Sequence, residues 1–360
     1  MLSVRSHSMF GTHHSWAVTM RSVFSELEKI GCRLFIKSTN GSDMIPDSWF
    51  KYTLVDFDNA DIDICYTLPR NFERRFSAPS LKKMAIYNYE SSIMPLDWNN
   101  NEKYVDYILP SSNFSKDILL KNGWPEDKCF VIPHGIDKNL FESKKEFNLN
   151  SNRKFKFLNI SIPHYRKNIP MLIDCYYEAF DSNDDVCLVI KTDVLEGKIR
   201  SFEIDLLKEI RKIQGKYPGK DLPQLEIVQG SLESMIPLYN SCDCLVSTSS
   251  SEGFGLPMLE AMAAELLVVS TCGTGQSDFL NNSNSLIIDV YEDLAPPQYQ
   301  YWECSDGATT FFPSRNSVIE NMINAYKNKN SLLLKFGDSC NETISRYSWK
   351  GAVDKILELV

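Results

Sequence analysis

In the second half of this 360-residue chain, short and continuously apolar runs return at 155–160, 186–190, 225–228, 244–247 and 267–270, separated by helical patterns near 170–180, 203–214, 232–240 and 257–264. A run that is apolar on both faces has no side to give to water. Strands of that kind alternating with helices predict a parallel sheet covered on both faces. The first half follows the same plan. A strand at 2–5 leads through the polar loop Gly11, Thr12, His13, His14 into a helix whose Ala17, Met20, Phe24, Leu27 and Ile30 recur at three and four residues, and Gly31 closes it before a strand at 32–37. Further strands are predicted at 62–66, 84–87, 107–109 and 129–132, with a helix at 113–122 stopped by Gly123. The fold class is therefore α/β, with two Rossmann-like domains. The polar stretch 141–153 reads as the linker between residues 1–142 and 150–344. Residues 284–312 are looser and read as a surface excursion on the second domain. Ligands of open α/β sheets bind beyond the carboxyl ends of the strands, so two such domains are expected to face each other across a cleft that holds the active site.

With 43% hydrophobic residues the chain can fill two cores. It contains no apolar run of the length a membrane span needs, and its start lacks the apolar segment of a signal peptide, so the expected location is the cytoplasm. A net charge of −9 argues against a surface that coats nucleic acid or membrane. One local basic cluster, Arg70, Arg74, Arg75, Lys82 and Lys83 with Phe72 and Phe76, could serve a phosphate-bearing acceptor, although a solvated loop is the commoner meaning of such a run. The ten cysteines form no Cys-x-x-Cys pair and read as reduced core residues. Asp61-Ile62-Asp63 looks like an Asp-x-Asp metal motif, but its alternating apolar setting favours a strand.

The segment most informative about chemistry is Ser250-Ser251-Glu252-Gly253-Phe254-Gly255-Leu256-Pro257-Met258-Leu259-Glu260, which follows the apolar run at 244–247. Glycines allow close backbone approach to a ligand, and proline suits the first turn of a helix. The result is a strand, a polar loop and a helix N-terminus, whose unpaired amides and positive dipole end suit phosphates or sugar hydroxyls. Glu252 and Glu260 bracket that seat. Either carboxylate could equally serve helix stability alone.

Together with stretches in the same order over roughly residues 1–357, this segment resembles the E-x7-E motif of the retaining family 4 glycosyltransferases of GT-B fold. The resemblance implies transfer of a hexosyl or pentosyl group, with retention, from a nucleotide-diphosphate sugar to a hydroxyl acceptor, and no metal cofactor. It implies that Glu252 contacts the donor sugar, that Glu260 holds ribose hydroxyls, and that the backbone of Gly253, Phe254, Gly255 and Leu256 meets donor hydroxyls and phosphates. Lys167 matches the diphosphate-binding lysine. The usual arginine five residues earlier is Ile162 here, so its role passes to Arg166. Fixed cations of this kind stabilise charge on a leaving diphosphate. Gly11 matches the glycine of the loop facing the donor phosphates. His134, in Pro133-His134-Gly135, either touches the donor or shapes the turn that ends the first domain. Thr12, His13, His14 and Glu90 are the candidate acceptor-binding residues, Glu90 standing where one subgroup carries a glutamate. Tyr347-Ser348-Trp349 and the amphipathic helix after it resemble the family's closing segment, which assigns 345–360 to the first domain.

The expected acceptor is a glycan, a lipid-linked glycan or another hydroxyl compound. A hydroxylated base in DNA is the unusual alternative. Rival activities are a sugar-nucleotide epimerase and a non-catalytic GT-B binding protein.

Overall fold

The computed structural model describes residues 1–11, 14–39, 45–193, 203–299 and 306–360. The chain divides into two compact units, Met1–Ile136 with Arg346–Val360, and Asp137–Ser345.

Among the described residues the first unit is built on five parallel strands, β1 (Ser3–Ser6), β2 (Arg33–Ile36), β3 (Ala60–Tyr66), β4 (Ser80–Tyr87) and β5 (Tyr107–Pro110), ordered β2-β1-β3-β4-β5. Helix α1 (Ser15–Lys29) buries Ala17, Met20, Phe24 and Leu27, the face its periodicity predicts, and Gly31 at φ 81° stops it. Ile30 is left 57% exposed as the C-cap residue. The short turns α2 (Asp47–Phe50) and α3 (Phe72–Arg75) precede α4 (Asn113–Lys121), whose N-cap Ser112 accepts from the Ser115 amide. The strand expected at 129–132 is reduced to one parallel bridge, Ile108 to Cys129. The amides of Phe130 and Ile132 donate to Ile108 and Pro110, but Pro110 has no N–H with which to extend the ladder.

Among the described residues the second unit holds six parallel strands, β6 (Phe155–Ile160), β7 (Val186–Thr192), β8 (Gln224–Gln229), β9 (Cys244–Ser247), β10 (Leu267–Thr271) and β11 (Leu286–Ile288), in the order β11-β10-β9-β6-β7-β8. Its helices are α5 (Ile169–Ala179), α6 (Leu206–Gln214), α7 (Ile236–Asn240) and α8 (Leu256–Ala263). Phe157, Ile173, Tyr176, Leu188, Val246 and Val269 lie in its core. The excursion at 284–312 contains β11 and an antiparallel hairpin, β12 (Val290–Leu294) with β13 (Thr309–Pro313). Helix α9 (Arg315–Arg346) was not anticipated, although its buried Val318, Met322, Ala325, Leu332 and Phe336 keep helical spacing.

The unit boundary differs from the expected one. Residues 137–142 belong with the second unit, where Phe141 is buried beside Tyr239, at 6.3 Å between ring centres. The polar stretch beyond them is pinned there too: the Phe147 amide donates to Pro237 O, and the Asn150 and Ser151 amides to the Glu226 carboxylate. The terminal helix α10 (Trp349–Leu357) packs on α1 in the first unit. Among the described residues no helix is long and apolar enough to cross a membrane.

Candidate active site

The strand order of the second unit reverses between β6 and β9, and at such a switch point the connecting loops diverge and leave room for a ligand beyond the carboxyl ends. The two strands pair only through Phe157–Cys244 and Leu158–Leu245, after which the Asn159 side chain spans the opening to Val246 O at 2.8 Å. The loop after β6 carries Arg166 and Lys167, and the loop after β9 carries Glu252. Asn168, left-handed at φ 52°, ties the loops together by donating to Thr248 O at 2.9 Å and Ser250 Oγ at 2.7 Å. The Ser250 amide returns a bond to Arg166 O at 2.8 Å.

That stitching brings three charges into contact. Lys167 Nζ lies 2.5 Å from Glu252 Oε1, and Arg166 Nη1 lies 3.4 Å from Oε2 while donating to Ser251 O at 2.6 Å. Glu252 is 8% exposed. Burial would raise its carboxyl, but Lys167 and Arg166 outweigh burial and hold it at about 2. It is a fixed anion closed on two fixed cations.

The backbone of this loop is held from behind. The Glu252 amide donates to Thr274 Oγ1 at 2.9 Å and the Gly275 amide to Glu252 O at 2.8 Å. A Cβ on Gly275 would fall 2.1 Å from Gly253 O, so only glycine permits the approach. Gly255, at φ 100°, turns the chain into α8, and Phe254 is buried against Phe279. The first turn of α8 therefore stands at the end of the loop, Pro257 bringing no N–H and the Met258 amide donating to Gly255 O at 3.0 Å, with the positive end of the helix dipole at the Leu256 side. Glu260, further along α8, accepts from Tyr239 at 2.7 Å. Burial pushes its carboxyl up to about 7, against the pull of that hydrogen bond. Thr274, Gly275, Asn168 and Tyr239 were not anticipated from sequence. The small-residue run Gly273-Thr274-Gly275 was the available signal for the first two.

Arg166, Lys167, Glu252, Gly253, Phe254, Gly255, Leu256 and Glu260 thus gather in the second unit. Gly11, His14, Glu90 and His134 belong to the first. Thr12 and His13 lie outside the described residues. His14 caps α1, its Nδ1 accepting from the Trp16 amide, and Glu90 is half-buried after β4. His134 is 5% exposed; its Nε2 lies 3.1 Å from Asn88 Nδ2 and 3.4 Å from Tyr66 OH, and burial lowers it to about 3. An enclosed, neutral ring with an occupied nitrogen favours the turn-shaping alternative. Gly135 beside it is sterically required, since a Cβ would fall 2.2 Å from Ser348 C. The Asp-x-Asp carboxylates are spent within the sheet, Asp61 on the Ser3 amide and hydroxyl and Asp63 on Arg5.

Residues 160–295 match the family model described as glycosyl transferases group 1. The probable sucrose-phosphate synthase of Thermosipho melanesiensis is 28% identical over 209 residues, which are 53% of this chain and 45% of that protein. The chain thus spans about half the length of that curated relative. Among solved structures, a glycosyltransferase from Rickettsia africae matches with a TM-score of 0.69 at 16% identity, covering 99% of this chain and 97% of the other. HepE of Anabaena, solved in complex with UDP and glucose, matches with a TM-score of 0.66 at 14% identity over 100% of this chain and 99% of the other. The fold is GT-B, two units with parallel sheets.

Proposed function

We propose that this protein is a retaining glycosyltransferase that moves a sugar from a nucleotide-diphosphate donor to a hydroxyl acceptor, a glycan or glycolipid. The observation that carries the proposal is the Arg166–Glu252–Lys167 cluster at the β6/β9 switch point, with the α8 N-terminus beside it. Breaking a sugar-diphosphate bond moves negative charge onto the leaving group. Two cations already fixed in place meet that charge without reorganising, and water-poor surroundings strengthen the attraction. In this reading Lys167 and Arg166 supply the positive charge that holds the diphosphate, and the donor's anionic groups share them with Glu252. Glu252 then accepts from a hydroxyl of the donor sugar. Its low pKa suits an acceptor and electrostatic partner of a positive reacting centre, not a proton donor. Glu260, held by Tyr239, receives the ribose hydroxyls, while the amides of the Gly253–Leu256 turn and the α8 dipole meet phosphate oxygens.

A sugar-nucleotide epimerase would use a similar seat, but the cation pair closed on Glu252 suits departure of a diphosphate to a separate acceptor. A DNA acceptor finds no support in the likenesses above, and the net charge of −9 also disfavours it. The UDP and glucose bound by HepE make UDP-glucose the first donor to try. Thermal melting with UDP, GDP, ADP and dTDP tests the site, since a ligand at a hundred times its dissociation constant adds about 2.7 kcal/mol. A shift with one nucleotide that disappears in Glu260→Ala supports the proposal. Transfer that survives in both Glu252→Ala and Lys167→Ala sinks it.

A further inference from the structure

The first unit carries a second group of cations that the donor chemistry leaves unused. Its strand order turns between β1 and β3, the corresponding switch point of this sheet. β1 runs directly into His7 and β2 into Lys37, whose amide donates to Ser6 O at 2.8 Å, so the two residues leave the same edge of the sheet side by side. The His7 amide donates to Cys65 Sγ near the end of β3 at 3.3 Å, and the turn after β3 supplies Arg74 and Arg75 in α3.

The contrast with Arg5 in the same sheet is informative. Arg5 is buried, and its guanidinium is answered by Asp63 at 3.2 Å, Asp56 at 3.5 Å, Phe57 O at 3.0 Å and Pro79 O at 2.7 Å. The Arg75 Nε is also buried, yet it has no hydrogen-bond partner. Among the described residues, no carboxylate or carbonyl is bonded to the side chains of Arg74, Arg75 or Lys37. A partly desolvated guanidinium with no acceptor costs free energy until an anion joins it, and the planar donor fork fits a phosphate.

We propose that the carboxyl edge of β1, β2 and β3 is a phosphate-binding subsite, formed by His7, Lys37, Arg74 and Arg75, that takes a phosphate group carried by the acceptor. Burial together with the charges of Arg75, Lys37, Arg74 and Arg5 holds His7 at about 4. The imidazole is neutral near pH 7 and presents one N–H as a further donor. That the phosphate belongs to the acceptor rests on the transferase reading above. The anion site itself does not.

The test is calorimetric titration of the whole chain with glycerol phosphate, glycerol, inorganic phosphate and a short oligonucleotide at fixed ionic strength in chloride. The comparison variant is Lys37→Gln with Arg74→Gln, since both residues are exposed and their replacement leaves the core alone. Wild type is expected to take glycerol phosphate in preference to glycerol and chloride, and the double variant to bind it at least about tenfold more weakly, with the UDP-induced melting shift unchanged. Equal phosphate affinity in wild type and double variant overturns the subsite. So does phosphate binding that Lys167→Ala abolishes and the double variant does not. Preference for an oligonucleotide over glycerol phosphate overturns it in favour of a nucleic-acid surface. If no nucleotide shifts the melting of wild type while phosphate behaves as expected, the transferase reading fails and the anion site stands.

Discussion

The two switch points of this protein carry similar cations in different electrostatic company. In the second unit Arg166 and Lys167 close on Glu252, so the fold itself supplies the counter-charge. In the first unit Arg74, Arg75 and Lys37 have no such partner among the described residues, and the Arg75 Nε is buried without an acceptor. A ligand of the first cluster adds charge that is missing. A ligand of the second must share its cations with a carboxylate, which suits a group whose negative charge grows during reaction more than one that is merely stored. The same contrast separates the two glutamates. Glu252 is answered by two cations and lies at about 2, whereas Glu260 is answered by one hydroxyl and lies at about 7.

The largest expected effect comes from removing one side of the answered cluster. Lys167→Ala should lower transfer by about a hundredfold or more, the scale of losing one preorganised charge-stabilising donor; single-turnover rates at saturating donor measure it. Glu252→Gln makes the second cluster resemble the first, two enclosed cations without an anion. It should cost about 3 kcal/mol of stability at pH 7 and tighten binding of inorganic pyrophosphate, and a pyrophosphate affinity no better than wild type would break the comparison.

The pH dependences of the two glutamates should be opposite in sign. The folded-state pKa of Glu252 is depressed, so its contribution is present above the ordinary carboxylate range and is lost as pH falls toward 2. That of Glu260 is raised, so its contribution is present below that range and is lost as pH rises through 7. Ligand-free Glu260→Gln should therefore gain about 2 kcal/mol relative to wild type at pH 8 and nothing at pH 4.5. Melting curves across that range decide it. The smallest effect is expected for Tyr239→Phe, a loss of about 1 kcal/mol for the missing hydrogen bond. It should also move the Glu260 titration higher, which carboxyl chemical shifts would report.

The alternation of apolar strands with amphipathic helices was legible because period and burial are properties of short windows. The strands at 155–160 and 244–247 and the helix closed by Gly31 could be read residue by residue. The strand at 129–132 was not realised, since pairing depends on what the neighbour can return, and Pro110 returns no bond. Residues 137–142 were assigned to the wrong unit because polar composition marks a linker without saying which surface it lies against.

In the candidate site, Glu252, Lys167 and Glu260 were nominated by spacing and residue type. Their opposite ionisation was not readable, because a carboxylate's pKa is set by neighbours remote in sequence: Lys167 and Arg166 for one, burial and Tyr239 for the other. The sequence by itself determined two parallel α/β sheets, the loops that end their strands, and the charged residues those loops carry. The tertiary structure alone decided which charges meet. Coulomb energy depends on distances of a few ångströms across some 85 residues of chain, and only the packing of β6 against β9 sets those distances.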